Sequence, residues 1–161
     1  MSTQGPAADE EPRWLSEDEQ EAWRAVLHIA LLLPGPLDAQ LQRSAGIGLF
    51  EYLVLSSLSM APERTSRMSD LAKLANGSLS RLSNAVKRME ARGLVERHPD
   101  PVDGRCTDAT LTDAGWDVVV AAAPGHVAAV RHHLVDPLTT EQLRTLVEVG
   151  ARVQQRLEGP A

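Results

Sequence analysis

The stretch from Met68 to Thr112 constrains the fold more than any other part of the chain. A short helix is expected from near Ser69 to the Asn76-Gly77 turn signal. A second helix follows from Ser78 and stops at Gly93, a residue suited to the position just past a helix end. Its apolar positions Leu79, Leu82, Val86 and Met89 recur at helical spacing and form one narrow stripe to be buried. The opposite positions Ser80, Arg81, Asn84, Lys87 and Arg88 carry only hydrogen-bonding side chains. Leu94–His98 and Ala109–Leu111 can pair as short antiparallel strands around a hairpin tip running from Pro99 to Cys106. Helix, tight turn, helix and two-stranded wing in that order suit one helix to the DNA major groove, with a loop beside it.

The flanks read as helices. Ser16 with Glu19 forms a capping box, so a helix is expected from Glu17, carrying Trp23, Val26, Leu27, Ala30 and Leu31. Pro34-Gly35-Pro36 is expected to break or sharply kink it, with a second piece from Leu37 to about Arg43. Gly48 is a weak N-cap, with Glu51 at the third helical position, for a helix to about Ser59 burying Leu49, Tyr52, Leu53, Leu55 and Leu58. Residues 61–65 read as a loop. Thr112-Asp113 caps a helix that is expected to kink at Pro124 and reach about Val135. Thr139 and Gln142 box the start of a last helix to about Leu157. The fold class is therefore mainly α with a small β-wing. Residues 1–15 read as a disordered acidic tail, 16–46 as N-terminal dimerisation helices, 47–115 as the winged helix-turn-helix domain, and 116–161 as C-terminal dimerisation helices.

Net charge is −6, which taken alone argues against a nucleic-acid partner. Between Pro62 and Leu111, however, nine Lys/Arg face seven Asp/Glu, so that segment is +2 and the remainder −8. A locally basic module on an acidic frame binds phosphate where it must and repels it elsewhere. One cysteine, Cys106, excludes an intramolecular disulfide framework and fits a reducing cytoplasm. The apolar run Ala25–Leu33 is too short to span a bilayer, so no membrane is expected as a partner.

Several motifs together resemble the MarR family of transcriptional regulators. They are Leu71-Ala72, Ser78-x-Ser80-Arg81-Leu82-Ser83, Arg88-Met89-Glu90-x-x-Gly93-Leu94-Val95-x-Arg97, Asp103-Gly104-Arg105 and Leu111-Thr112-Asp113-Ala114-Gly115. Glu51-Tyr52-x-Val54-Leu55, Gly125-His126-x-x-x-Val130-Arg131 and Asp136-Pro137-Leu138-Thr139 extend the match. The resemblance implies a winged-helix homodimer, binding a palindromic operator on double-stranded DNA and often released by a small-molecule effector. Two positions depart from it: Gly48 stands where a capping hydroxyl is common, and Pro34-Gly35-Pro36 interrupts the first helix.

On this reading Ser78, Ser80, Arg81 and Asn84 enter the groove. Arg81 is suited to a guanine edge, Asn84 to adenine, and the serines to phosphates. A solvated amphipathic face is the plainer meaning of such residues, but the wing and the preceding turn agree with the groove. Lys87, Arg88, Arg92 and Arg97 are phosphate candidates. Arg105 at the wing tip suits a narrow minor groove, while Asp103 either orients it or simply makes the turn with Gly104. Trp23, Leu27, Leu31, Val130, Leu134, Leu143, Leu146, Val147, Val153 and Leu157 exceed what a small winged helix must cover, which favours a two-fold assembly over one larger core. Trp23, His28, Tyr52 and Trp116 either line a ligand cavity or are ordinary core. His126, His132 and His133 do not have metal-ligand spacing, and Cys106 is either an oxidant-sensing thiol or incidental. No catalytic or cofactor motif stands out, so an enzyme ranks below both a DNA-binding repressor and a winged-helix protein-interaction module without DNA.

Overall fold

The computed structural model describes residues 12–75 and 78–159, in two compact units that divide between Leu33 and Pro34. The expected tail falls largely outside the described residues, as does the Asn76-Gly77 turn. Among its described residues, the first unit contains one helix, α1 (Glu17–Leu32). Its capping box forms as expected, with Glu19 N–H donating to the Ser16 hydroxyl and Ser16 N–H donating to the Glu19 carboxylate. None of its residues is buried.

The second unit begins with α2 (Pro34–Ala45); the expected interruption of the first helix is present, at Leu33, and only the start of the second piece differs, lying at Pro34 rather than Leu37. Only Leu33 lies outside a helix; Pro34, Gly35 and Pro36 are themselves the first turn of α2. A proline in a first turn loses no hydrogen bond, because those N–H groups have no partner within the helix anyway. α2 packs on α3 (Leu49–Met60) and on α6 (Asp113–Val130).

The start of α3 shows how the chain makes do without a capping hydroxyl at Gly48. Asp38, eleven residues earlier, accepts the Leu49 N–H at 2.7 Å, and Glu51 accepts the Gly48 N–H at 3.3 Å. A Cβ at position 48 would stand 3.1 Å from that Asp38 oxygen, so the missing side chain makes room for the substitute cap. α3 buries Tyr52, Val54, Leu55 and Leu58. Leu53, expected inside, is 41% exposed, and Val54 takes its place.

Residues 61–65 are not all loop. A short 3-10 turn at Pro62–Arg64 leads into β1 (Thr65–Arg67), a strand unforeseen in the sequence. After α4 (Met68–Leu71) the chain continues as a 3-10 turn to Ala75. α5 (Leu79–Ala91) has Ser78 as N-cap and ends before Gly93, whose φ of +71° is the left-handed conformation expected there. Leu82, Val86 and Met89 are fully buried, each stabilising the fold by about 1.5–3 kcal/mol. Ala85 joins them, whereas Leu79 in the first turn is 56% exposed because that turn projects past the core.

β2 (Val95–Pro99) and β3 (Thr107–Leu111) form the wing hairpin, with Val95 opposite Leu111 and Pro99 opposite Thr107. β1 pairs with the other edge of β3, Thr65 opposite Thr110, giving an antiparallel sheet ordered β1-β3-β2. The wing is tied to α6 at one residue. The Thr112 hydroxyl accepts the Gly115 N–H and donates to the Gly93 carbonyl at 2.7 Å, while the Thr112 N–H donates to the Leu94 carbonyl. Gly115 lies so close beneath that a Cβ there would meet the Leu94 oxygen at 2.1 Å.

α6 carries Pro124 within it and passes into a π-helical turn at Arg131–Val135. Residues 113–135 are long and apolar enough to cross a membrane by length and composition; Gly115, Val119 and Ala122 are buried in this fold, whereas Val120 and Val127 are exposed. α7 (Thr140–Glu158) has its Thr139–Gln142 capping box and buries none of its residues. The core lies where α2, α3, α5, α6 and the sheet meet, with Leu41, Ile47, Leu55, Leu58, Leu82 and Met89 fully enclosed.

Candidate nucleic-acid interface

α5 sorts its residues cleanly by face. Leu82, Ala85, Val86 and Met89 turn inward, while Ser80, Arg81, Asn84, Lys87 and Arg88 are exposed. Ser78 at the N-cap uses its hydroxyl oxygen to accept the Arg81 N–H at 3.3 Å, with the Ser80 hydroxyl 3.3 Å away. One helix thus brings six of the nine expected contact residues together, counting its N-cap.

The arginines differ in how they are held. Arg88 donates to the Glu51 carboxylate of α3 at 3.0 Å. Arg97 on β2 makes two hydrogen bonds to Glu90, whose carboxyl the Arg97 hydrogen bonds hold below its usual range. Arg92, a further phosphate candidate, donates to the Gly46 carbonyl at 2.9 Å and ties the end of α5 to the end of α2. Arg81 alone of this group rests on an aromatic face, its guanidinium carbon 4.7 Å from the Phe50 ring centroid. Lys87 has no carboxylate partner among the described residues.

The wing is built on a residue that sequence reasoning passed over. Asp100 is 7% exposed and accepts the N–H groups of Val102 at 2.7 Å and Asp103 at 3.0 Å, as well as a guanidinium N–H of Arg67 from β1. The two backbone N–H groups first, then Arg67, hold its carboxyl below the ordinary range. Its signal was the Asp-Pro-x-Asp spacing, which suits a side chain folding back onto its own turn. Asp103 in turn accepts the Arg105 N–H at 3.2 Å, and its oxygen lies 3.6 Å from the Arg105 guanidinium. Both open readings of Asp103 therefore have a geometric basis. The Arg105 side chain is 95% exposed.

Cys106 donates its thiol to Asp103, and burial, then the Asp103 charge, push that thiol up from its ordinary value. Activation of a thiol for oxidation requires the opposite shift.

Of the four residues expected at a ligand cavity, Trp23 and His28 belong to the first unit and Tyr52 and Trp116 to the second. Trp23 and His28 are exposed on α1. Tyr52 is buried and its ring lies 4.5 Å from that of His126, whose pKa burial lowers and whose Nδ1 has no hydrogen-bond partner among the described residues. Trp116 carries the Arg64 guanidinium 4.3 Å above its ring, and Arg64 also pairs with Asp113 at 3.0 Å. Glu63 and Arg64 adopt φ of 51° and 54°, a backbone region unfavourable to both. A groove of about 500 Å³ lies elsewhere, between α2, α3 and Arg81, with Leu49, Phe50, Leu53 and Leu74 in its wall.

The MarR family's sequence model matches residues 45–105, which run from the end of α2 through α3, β1, α4, α5 and β2 to the wing tip and stop before β3. A MarR family transcriptional regulator of Streptomyces coelicolor, Sco3205, solved in complex with DNA, is 45% identical. The two align over 95% of each chain with a TM-score of 0.88. The chain belongs to the MarR family. A second MarR family regulator of that organism, AbsC, is 38% identical with a TM-score of 0.86, over 92% of this chain and 100% of AbsC. The uncharacterised HTH-type transcriptional regulator YdgJ of Bacillus subtilis is 28% identical over 89 residues, about half the length of either protein (55% and 54%). Like those MarR relatives, this chain is a winged-helix protein of the transcription-regulator class, with its Asp-Gly-Arg wing and Leu-Thr-Asp-Ala-Gly helix start in the places described above.

Proposed function

We propose that this MarR family member binds a palindromic operator as a homodimer and represses transcription from the cytoplasm. Each protomer lays α5 in one major groove and Arg105 in the neighbouring minor groove, with half-sites about one helical turn apart. One observation carries the reading: the α5 face bearing Ser80, Arg81, Asn84, Lys87 and Arg88 is left open while the opposite face builds the core. Sco3205, solved with DNA, supports it. Arg81 and Asn84 read base edges; Ser78, Ser80, Lys87, Arg88 and Arg97 hold phosphates; Asp103 orients Arg105.

Two helices that bury nothing support the dimer. On α7, Val147, Val153 and Leu157 are exposed, and on α1 so are Trp23, Val26, Ile29 and Leu31. Such faces on a folded chain call for a partner surface, and a second copy supplies one by symmetry. A small-molecule effector, for which Trp23, His28, Tyr52 and Trp116 are the sequence candidates, completes the reading. It is tested by whether small aromatic or apolar compounds shift the dissociation constant for the operator.

The deciding assay is fluorescence anisotropy with duplexes tiled over the DNA upstream of the protein's own gene. Tight, strongly salt-dependent binding to one dyad-symmetric segment is expected. Arg81→Ala should weaken it by about 1–3 kcal/mol and relax preference at one base position in each half-site. Equal, weak binding to every duplex would leave the protein-interaction reading in possession.

A further inference from the structure

We infer that Phe50 is a positioning residue for DNA reading: it holds the Arg81 guanidinium in a fixed plane and so sets discrimination at the base that Arg81 contacts. This rests on the assignment of Arg81 to a base edge.

The arginines of the site differ in the company they keep. Arg88, Arg97 and Arg105 each lie beside a carboxylate, from Glu51, Glu90 and Asp103. A carboxylate occupies part of a guanidinium's donor fork; the N–H groups left over can still meet a phosphate, but the two-point contact that a base edge demands is compromised. Arg81 has no carboxylate partner among the described residues and rests instead on the Phe50 ring, 4.7 Å from its centroid. An aromatic face attracts a guanidinium through its quadrupole without accepting its in-plane N–H groups. The donor fork that matches guanine O6 and N7 is therefore held and still vacant.

The platform is firm. Phe50 is half-buried and packs against the core cluster, whereas Arg81 is exposed. An unsupported arginine at that position would spread over many rotamers and lose that freedom on binding; one already held loses less. Sequence order adds to the case. Phe50 and Glu51 are neighbours on α3, and they engage Arg81 and Arg88, seven residues apart on α5. Two adjacent residues of one helix thus steer two cations two turns apart on the next. A plain packing role, in which the ring merely covers the arginine stem, predicts an effect on affinity that does not depend on base identity.

The test is a double-mutant cycle on the full-length protein. Anisotropy titrations compare the operator duplex with one carrying 7-deazaguanine at the guanine that Arg81→Ala identifies. Phe50→Leu is expected to cut the guanine to 7-deazaguanine preference by roughly two- to five-fold in the Arg81 protein, the worth of an exposed cation–π contact. It should leave the Arg81→Ala protein unchanged. Phe50→Trp, which keeps an aromatic face, should retain the preference and guards against a folding defect in the leucine variant. If Arg81→Ala lowers the preference but Phe50→Leu lowers only overall affinity, or acts equally in both backgrounds, the positioning role is overturned. If Arg81→Ala changes no base preference, the base-reading assignment fails and takes this inference with it.

Discussion

Gly115→Ala tests whether the wing and α6 are locked together. In an open helix this exchange stabilises by about 1 kcal/mol, because alanine restricts the unfolded chain and favours helix. Here the new methyl would sit 2.1 Å from the Leu94 carbonyl oxygen and 2.6 Å from Leu111 Cδ1, where ordinary contact begins at 3.4 Å. The first obstacle is backbone of the Gly93–Leu94 turn and cannot rotate away. α6 and the wing must separate by more than 1 Å, which strains the Thr112 N–H bond to Leu94 at 3.1 Å and the Thr112 hydroxyl bond to Gly93 at 2.7 Å. Overpacking costs about 1–3 kcal/mol and each lost hydrogen bond about 1 kcal/mol. Set against the helix gain, the net loss is about 2–4 kcal/mol, a fall in Tm of roughly 5–15 °C for a chain this size. Thermal and urea unfolding at one fixed protein concentration measure it, since the stability of a dimer depends on concentration. A Tm equal to or above that of the parent protein would refute the close approach of α6 to the wing.

Three further outcomes follow from the site. Asp100→Asn removes the charge that Arg67 and two wing amides share, so the N–H groups of Val102 and Asp103 should exchange faster with solvent and operator affinity should fall. In the parent protein the Asp100 carboxyl is held below its ordinary value, so its contribution is present above about pH 3.9 and is lost as pH falls through the folded value; wing-amide protection, corrected for the intrinsic pH dependence of exchange, that persists unchanged below the pH at which Asp100 itself titrates would contradict this. Burial lowers the pKa of His126 in the folded chain, whereas the unfolded chain takes a proton near pH 6.5, so stability drops as pH falls below about 6.5. The fall in Tm between pH 7.5 and pH 5.5 should be smaller in His126→Phe, and equal falls would dismiss the histidine as the cause. Arg105→Ala should weaken binding most on operators with A/T-rich flanks, where the minor groove is narrow; equal losses on all flanks would remove the groove-width argument.

The helix-turn-helix and wing were legible because their signals are local. Ser16 with Glu19, Ser78, Gly93, Thr112, and Thr139 with Gln142 each cap the helix their chemistry suggests. What escaped depends on distant partners. β1 is three residues long, too short for any alternation to register, and exists because Thr65–Arg67 pairs with β3 more than forty positions later. Pro34-Gly35-Pro36 marks the interruption after α1 as read, but the sequence did not show that the same residues form the first turn of α2. Leu53 and Leu79 have the right spacing for burial but lie at the rim, and no periodicity distinguishes a rim from a core. In the candidate site, the exposed face of α5 and the Asp-Gly-Arg tip could be read directly. Phe50, Glu51, Glu90, Asp100 and Arg67 could not, since their roles arise only when α3, β1 and the wing are folded beside α5.

The central claim is that the open face of α5 meets base edges in the major groove. Dimethyl sulfate protection of guanine N7 on the operator, with the parent protein and with Arg81→Ala, tests it most directly. The account predicts two protected guanines related by the dyad and about one helical turn apart, both becoming reactive in the variant while backbone protection persists. Guanines fully reactive at saturating parent protein, or protection indifferent to Arg81, would contradict it.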